Sequence, residues 1–373
     1  MSDLKAELVD LARRQGFLAA AVAAAEEDAV ARAITLERVQ RGDFSGLPWF
    51  HEARVMVATD PRLSVPEARS LLLLSASYRH PAPPRSDGRP RGRIARYAWG
   101  RDYHRVLERR ARPLLRCIAE RVPGSRSRLM VDHGPLAERA YARAAGLGWQ
   151  GKNTMLLARG VGSYTFLAAI LTSVFLEPDR PAAQSCGACT RCLPACPTGA
   201  LRCEYNLVND LCIAHQTIEN RGAIPRALRS KIGDWIFGCD LCQEACPVND
   251  PQGAAGLPEF AAADEETAFP DLVALLELGE AEFRRRFAGR AILRAKYAGF
   301  LRNVCIALGN VGGPGAVGPL ARALEHREAL VRGHAAWALG KLGAWQPLGS
   351  RRGREIDPWV REEIDRALEG ASE

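Results

Sequence analysis

The sequence predicts a multidomain α+β chain, and three observations predict it. Up to about residue 178, short apolar runs of strand character alternate with helical patterns. Nine of the eleven cysteines then crowd into residues 185–250. Beyond residue 255 the pattern turns helical, and the segment A-L-G-x-[VL]-G beginning at Ala307 recurs 31 positions later at Ala338. The expected division is an α/β domain over 1–178, a cysteine-rich module over 179–255 and an α-helical repeat over 256–373. A length of 373 residues gives such a division ample core.

Taken in order, the chain opens on an amphipathic helix ending near Gly16, followed by a buried strand over 17–24. Arg13-Arg14 before an apolar run resembles a twin-arginine export signal. The run is short, stops at Glu26-Glu27-Asp28 and is preceded by Asp3, Glu7 and Asp10, so the expectation is a cytoplasmic protein with reduced thiols. No stretch has the length of a membrane-spanning helix. Further strands are expected over 55–58, 71–76, 129–131, 154–158 and 164–175, and helices over 103–121 and 136–145. A Pro/Gly/Arg-rich loop over 80–93 leads into Arg96-Tyr97-Ala-Trp99-Gly-Arg101-Asp102-Tyr103-His104. Aromatics interleaved with arginines suit a large polar ligand, and equally a solvated loop closing on a helix start.

Arg128-Leu-Met-Val131-Asp132-His133-Gly134-Pro135 puts an acid at the C-terminal end of a strand, with Gly-Pro breaking the chain before a helix. Asp132 is either a helix cap or a general acid whose pKa partial burial would raise. The glycine-rich stretch Gly146-Leu-Gly148-Trp149-Gln-Gly151-Lys152-Asn153 is too irregular for a P-loop, yet allows a flat ligand close to the backbone.

Cys186-x2-Cys189-x2-Cys192-x3-Cys196-Pro197 is the bacterial iron–sulfur run, in which three thiolates on one tight loop grip one cube and the fourth reaches another. Cys239-x2-Cys242-x3-Cys246-Pro247 repeats its last three positions, with Ile236 where a leading cysteine would stand. Two 4Fe–4S clusters need eight thiolates, and the runs supply seven. Cys203 and Cys212 are the candidates for the eighth, and Cys212 is favoured because it lies far enough from the first run to reach the second cube. With the fourth ligands crossed, one cluster takes Cys186, Cys189, Cys192 and Cys246, and the other Cys196, Cys212, Cys239 and Cys242. Structural zinc is the competing reading of C-x2-C pairs, but zinc does not call for a four-cysteine run ending in proline. Cys117 and Cys305 sit in apolar helical patterns and read as core thiols. The stretch therefore reads as a two-cluster ferredoxin-like module, which alone implies only that electrons arrive one at a time.

The helical repeat reads as HEAT-like helix pairs. Before it, residues 284–302 carry Arg284, Arg285, Arg286, Arg290, Arg294, Lys296 and Arg302 without an acidic residue. Seven cations over about five expected helical turns favour phosphate contacts over a merely solvated face. The net charge of +8 and pI near 9.0 point the same way, to a polyanion.

Val131-Asp132-x-Gly134-Pro135, Gly146-Leu-Gly-Trp149-x-Gly151-Lys152-Asn153-Thr154, Ala95 through His104, and Ile236-Phe237-Gly238-Cys239-Asp240 together resemble the epoxyqueuosine reductase family over essentially the whole chain. The resemblance implies a nitroreductase-like catalytic domain, cobalamin as cofactor and kinship with reductive dehalogenases. The implied reaction reduces epoxyqueuosine to queuosine at the wobble base of tRNA, taking two electrons and releasing water. It implies Asp132 as proton donor. The implied cofactor contacts are Tyr97, Asp132, Gly151, Lys152, Asn153, Ala214, His215, Gln216, Thr217 and Asp240. The seven cations would hold tRNA, and a monomer is expected. The corrin would carry no lower histidine, and the sequence lacks the corresponding D-x-H-x-x-G signature: Leu107 stands where Asp102-Tyr-His104 would need Gly. His133 departs from the family, which places a small residue there. Two rivals remain at this point: a cobalamin-dependent reductase of a small molecule, and a non-catalytic iron–sulfur electron carrier or nucleic-acid binder.

Overall fold

The computed structural model describes residues 2–86, 88–158, 160–249, 255–313 and 315–369. Asp250, which closes the cysteine-rich stretch, and the residues up to 254 near its boundary lie outside the described residues. The chain forms two compact units. The first comprises residues 1–80, 101–210 and 241–261, and the second 81–100, 211–240 and 262–373.

In the first unit, α1 (Ser2–Arg14) buries Leu4, Leu8 and Ala12, one stripe at helical spacing. Strands β1 (Ala19–Ala24), β2 (Ser70–Ser77), β3 (Ser127–Met130) and β4 (Thr165–Thr172) form one sheet in the order β1-β2-β4-β3, antiparallel at every pairing. β2 is central, with Leu72 opposite Val22 on one side and Ile170 on the other. Its four consecutive leucines place apolar side chains on both faces, so the strand is buried along its length. One face packs Leu71, Leu73 and Leu171 against Met130 and against Tyr141 and Ala142 of α3 (Glu138–Ala144). α2 (Tyr103–Arg121) covers the whole expected helical stretch. It buries Val106, Leu107, Ala111, Leu114 and Ile118.

In the second unit, α4 (Ile213–Ile218) starts directly after Cys212, and the strand Trp235–Phe237 runs parallel to Arg93–Ile94. α5 (Tyr297–Val311) and α6 (Ala329–Lys341) are the two A-L-G segments, and α7 (Pro358–Glu369) packs on α6. The motif has a steric reason. A Cβ on Gly309 would lie 2.9 Å from the Ala338 backbone of α6, and one on Gly340 would lie 2.6 Å from Cβ of Ala367 in α7. Only glycine lets these helices approach so closely. The buried pair Arg229–Glu363 joins helix Arg226–Ile232 to α7 through two bonds of 2.8 and 2.7 Å.

Four expectations are corrected. Residues 55–58 are not a strand but part of helix Glu52–Thr59: Val55 and Ala58 are buried while Met56 is exposed, the helical period hidden in a short apolar run. In 154–158 only Leu156–Leu157 is extended, paired with Trp149–Gln150. The connector expected over 227–235 is helix Arg226–Ile232 and stops at Gly233, and Trp235 begins a strand. Residues 284–302 are not a continuous helix. Helix Glu280–Arg286 ends, a 3-10 turn covers Ala291–Ala295, and Lys296 takes φ 61° before α5 begins.

Arg302 on α5 is fully buried. Its guanidinium donates to the carbonyls of Gln216 at 2.6 Å, Asn220 at 3.0 Å and Gly222 at 2.6 Å. Asn303 donates to the carbonyls of Thr217 at 2.8 Å and Ile236 at 2.9 Å. These two side chains fix the end of α4, whose last carbonyls lack helical partners. Replacing Arg302 by Met keeps the bulk and strands those carbonyls. Unfolding in denaturant should show a loss on the order of 3 kcal/mol, from several unsatisfied buried acceptors. A variant as stable as the parent would disprove that role.

Candidate active site and cluster-binding cysteines

Asp132 follows β3 and takes φ 56°, a left-handed conformation that a non-glycine residue adopts rarely. Its side chain is 62 % exposed, so the burial expected to raise its pKa is not present. Nor does it cap the next helix, whose N-cap position is Ala137. The carboxylate instead accepts a hydrogen bond from the Tyr103 hydroxyl. The Tyr103 ring is stacked on Phe166 of β4 at 4.3 Å, nearly coplanar, and Phe166 meets Phe260 edge-on. Sheet and aromatic stack thus fix the hydroxyl that holds Asp132.

Three titratable groups surround this loop. The amide of Asp132 donates to Glu138 Oε1 at 2.8 Å. Burial first, and then the Asp132 charge, push the Glu138 carboxyl up to about 8. His104 Nε2 lies 3.9 Å from Asp132 Oδ2, while its Nδ1 is 2.7 Å from Asp102 Oδ1. Burial would raise Asp102, but hydrogen bonds from the His104 ring and amide outweigh it and hold the carboxyl below its ordinary value. His133, the departure from the family's small residue, reaches toward Glu108 at 3.8 Å. The sequence offers Asp102-Tyr-His104 as part of an aromatic–arginine stretch and as an incomplete histidine-ligated cobalamin signature, not as a neighbour of Asp132. Its nearness to Asp132 comes from the start of α2 and the end of β3 meeting in space, which local pattern does not reveal.

None of the eleven cysteines is in a disulfide. In the first unit, burial and then the sulfurs of Cys246, Cys186 and Cys189 push the Cys192 thiol up. Cys246 is pushed up by burial and by Cys186 and Cys189. Four thiols of two separate runs are therefore neighbours, a donor set with the chemistry of one cluster. Cys196 behaves differently. Burial raises it, but hydrogen bonds from Thr198 and from the backbone at 198, 200 and 201 pull it below the ordinary thiol value. Cys242 belongs to the first unit, and Cys212 and Cys239 to the second. Cys212 stands at the N-cap of α4, and Ile236, in the place of a leading cysteine, is fully buried in its strand. Cys203 is exposed, and Cys117 and Cys305 are buried core thiols as expected.

The Gly151-Lys152-Asn153 loop touches both cysteine runs within the first unit. The Lys152 ammonium donates to the Gly187 carbonyl at 2.8 Å and pairs with Glu204 at 2.7 Å. Asn153 donates to the Cys242 carbonyl at 3.3 Å. In the second unit, Thr217 Oγ1 accepts from the Gly238 amide at 3.0 Å, Asp240 accepts from the Arg96 amide at 2.7 Å, and the Tyr97 ring lies 5.9 Å from Phe237. Lys152 and Asn153 of the first unit are buried polar side chains, and so are His215, Gln216, Thr217 and Asp240 of the second. Within the second unit alone, such a donor and acceptor set fits the chemistry of an amide-rimmed corrin.

The basic residues have counter-charges that the local sequence hides. Arg284 pairs with Glu280 at 2.7 Å, Arg285 with Glu282, and Arg286 with Glu266 at 3.4 Å. Arg294 grips Glu219 through two bonds of 2.9 Å, and Arg290 is half-buried toward Asp264. Lys296 is exposed. Arg302, expected at a phosphate, is buried on backbone carbonyls and is withdrawn from that surface. Among the described residues, no helix is long and apolar enough to cross a membrane.

Three sequence families match: the 4Fe–4S double cluster binding domain over 185–249, epoxyqueuosine reductase QueG (DUF1730) over 59–133 and HEAT repeats over 290–369. An epoxyqueuosine reductase of Synechocystis sp. is 43 % identical over 244 residues, 64 % of this chain and 83 % of that one. An epoxyqueuosine reductase crystallised with an epoxyqueuosine-modified tRNA-Tyr stem loop superposes with TM-score 0.93 at 32 % identity, covering 100 % of this chain and 99 % of the other. One from Bacillus subtilis, solved with its aspartate-bearing catalytic loop swung out of the active site, gives 0.91 at 32 % identity, with 99 % of each chain covered. The double-cluster module and the HEAT-like repeat expected from the sequence are both borne out, and the chain belongs to the epoxyqueuosine reductase family, oxidoreductases that act on tRNA.

Proposed function

We propose that the chain reduces epoxyqueuosine to queuosine at the wobble position of tRNA with Asp132 as the acid that protonates the departing oxygen. The observation that carries this is the Asp132 carboxylate, presented to solvent from a left-handed turn and steadied by the Tyr103 hydroxyl. A carboxylate that touched nothing, or that capped a helix, would not be aimed in this way. An alkoxide is a poor leaving group, so a positioned acid is worth about 10²–10⁴-fold in rate. The aspartate loop of the Bacillus subtilis relative, described as catalytic, supports placing the acid on a loop that moves.

Cys186, Cys189, Cys192 and Cys246 hold one cluster, and Cys196, Cys239 and Cys242 with Cys212 hold the other. The Lys152 ammonium beside the Gly187 carbonyl offsets part of the negative charge gathered on the first. Tyr97, Lys152, Asn153, Ala214, His215, Gln216, Thr217 and Asp240 would hold a corrin, with Gly151 allowing close backbone approach. When bound, the corrin supplies low-valent cobalt chemistry, fed singly with electrons by the clusters from an external donor. Asp132 supplies the proton.

Arg284, Arg285, Arg286, Arg290, Arg294 and Lys296 would meet the tRNA backbone. Arg284–Glu280 is an exposed pair screened by solvent, so a phosphate can replace the carboxylate partner at little cost. The protein is expected to act as a cytoplasmic monomer.

Asp132→Asn should abolish conversion of epoxyqueuosine in a tRNA stem loop while cluster absorbance and bound corrin persist. Full activity in that variant would remove Asp132 from the mechanism. Cys212→Ser should lower the iron content by about one cluster, whereas Cys203→Ser should leave it at eight irons. The reverse pattern would make Cys203 the ligand. Stem-loop affinity should fall steeply between low and physiological salt, and Arg284→Ala with Lys296→Ala should flatten the slope by about two counterions. A salt-independent affinity would rule out phosphate contacts at this surface.

A further inference from the structure

Reducing an epoxide to an alkene takes two electrons and two protons, and the oxygen leaves as water. Cleavage of the first carbon–oxygen bond needs one proton to leave a hydroxyl, and cleavage of the second needs another to release water. One aspartic acid carries a single proton. If Asp132 is the acid, as read above, it must be recharged within each turnover.

We infer that His104, oriented by Asp102, is the positioning and proton-relay residue that recharges Asp132. Three observations carry this. His104 bridges the two carboxylates, with Nδ1 at 2.7 Å from Asp102 and Nε2 at 3.9 Å from Asp132 Oδ2. An ionised Asp102 can only accept, so it fixes the tautomer with the proton on Nδ1 in the neutral ring and stabilises the imidazolium. The His104 side chain is 32 % exposed, so the ring that faces Asp132 also reaches water. The 3.9 Å gap is longer than a hydrogen bond. Catalytic contacts are commonly this loose without substrate, and a small torsion of the Asp132 turn would close it.

The balance is complete. Asp132 gives its proton to the oxygen as the first bond breaks. The His104 imidazolium passes its Nε2 proton to the carboxylate, and the neutral ring recovers one from water. The recharged Asp132 delivers the second proton, and water leaves. The electrons come from the external donor through the clusters, as in the reaction itself.

The other groups facing His104 do not serve this role. Tyr103 stacks on its ring at 4.0 Å and donates to the same Asp132 carboxylate, but a phenol hydroxyl is a weak acid at neutral pH. The His133 ring is 5.7 Å away and turned toward Glu108. Glu138 receives the Asp132 amide, not its carboxylate. Arg105 adds positive charge near Asp102, which keeps that carboxyl ionised.

The bland alternative is that Asp102 merely caps α2, since it also accepts from the His104 amide at 3.1 Å. Exogenous imidazole separates the two. In the cluster- and corrin-loaded enzyme with an epoxyqueuosine stem loop, His104→Ala should lower kcat by about 10²-fold at pH 8 with stem-loop binding and cluster absorbance unchanged. Imidazole in the buffer should restore most of that loss, and lowering the pH should restore part of it. Asp102→Asn should displace the pH profile of kcat toward acid, because the imidazolium loses its stabilising charge. Full activity of His104→Ala across the pH range, or a loss that imidazole never relieves, overturns the relay. An active Asp132→Asn would instead overturn the reading of Asp132, so the two failures are distinguishable.

Discussion

The buried guanidinium of Arg302 is the interaction on which the second unit depends. An uncompensated charge in an apolar interior is costly, and no carboxylate meets this one. Backbone carbonyls of Gln216, Asn220 and Gly222 do, and a helix end is where such carbonyls are available. Burial lowers the Arg302 pKa to about 9, which leaves it charged at neutral pH. The C-terminus of α4 is itself the favourable place for a cation. Asn303, the next residue, reaches the carbonyls of Thr217 and Ile236, so one turn of α5 sets both α4 and the strand that leads to Cys239. Gln216 and Thr217 near the end of α4, the helix that Cys212 opens, are held by the same pair of side chains. A repeat helix thus organises residues that the sequence presents as part of the cysteine module.

How much of this was legible in the sequence follows from the range of each signal. The cysteine runs were legible because cluster ligation imposes spacing within a few residues of one loop. The A-L-G repeat was legible because helix crossing at Gly309 and Gly340 demands glycine at one point per repeat. Arg302 was not, because a basic residue in a basic stretch reads as surface, and its burial is set by carbonyls some 80 positions earlier. The missing counter-charges illustrate the same limit. Residues 284–302 contain no acid, but Glu280 and Glu282 precede them by one helical turn, and Glu219 and Glu266 arrive through the fold. At Asp132 the sequence offered a helix cap or a partly buried acid, whereas the fold exposes the carboxylate and steadies it by the Tyr103 hydroxyl.

Charge in the first unit is arranged by distance from the thiolates. Lys152 is buried beside the turn of the first cysteine run and is matched by Glu204, so the loop carries a held cation where a cluster would place negative charge. Cys196 differs from Cys192 and Cys246 because hydroxyl and amide donors outweigh its burial. Hydrogen bonds to sulfur are one of the means by which proteins set cluster potential. The three thiols therefore mark two environments, one dominated by neighbouring sulfur and the other by donors.

Proton supply is built separately from electron supply. The Lys152 loop and the cysteines are poor proton donors toward a substrate oxygen: a lysine paired with a carboxylate is held charged, and thiols that bound a cluster would have given up theirs. The start of α2 and the end of β3 provide two carboxylates of contrasting state around one imidazole, Asp102 held ionised and Asp132 open to solvent. Contrast of this kind divides roles, the ionised group orienting the ring and the exposed group exchanging protons. A reductase that removes oxygen as water must match each pair of electrons with two protons. With the proposed proton path on Asp102, His104 and Asp132, the part-exposed imidazole is open to water, and the exposed, left-handed turn of Asp132 is the point at which the proton would meet the substrate.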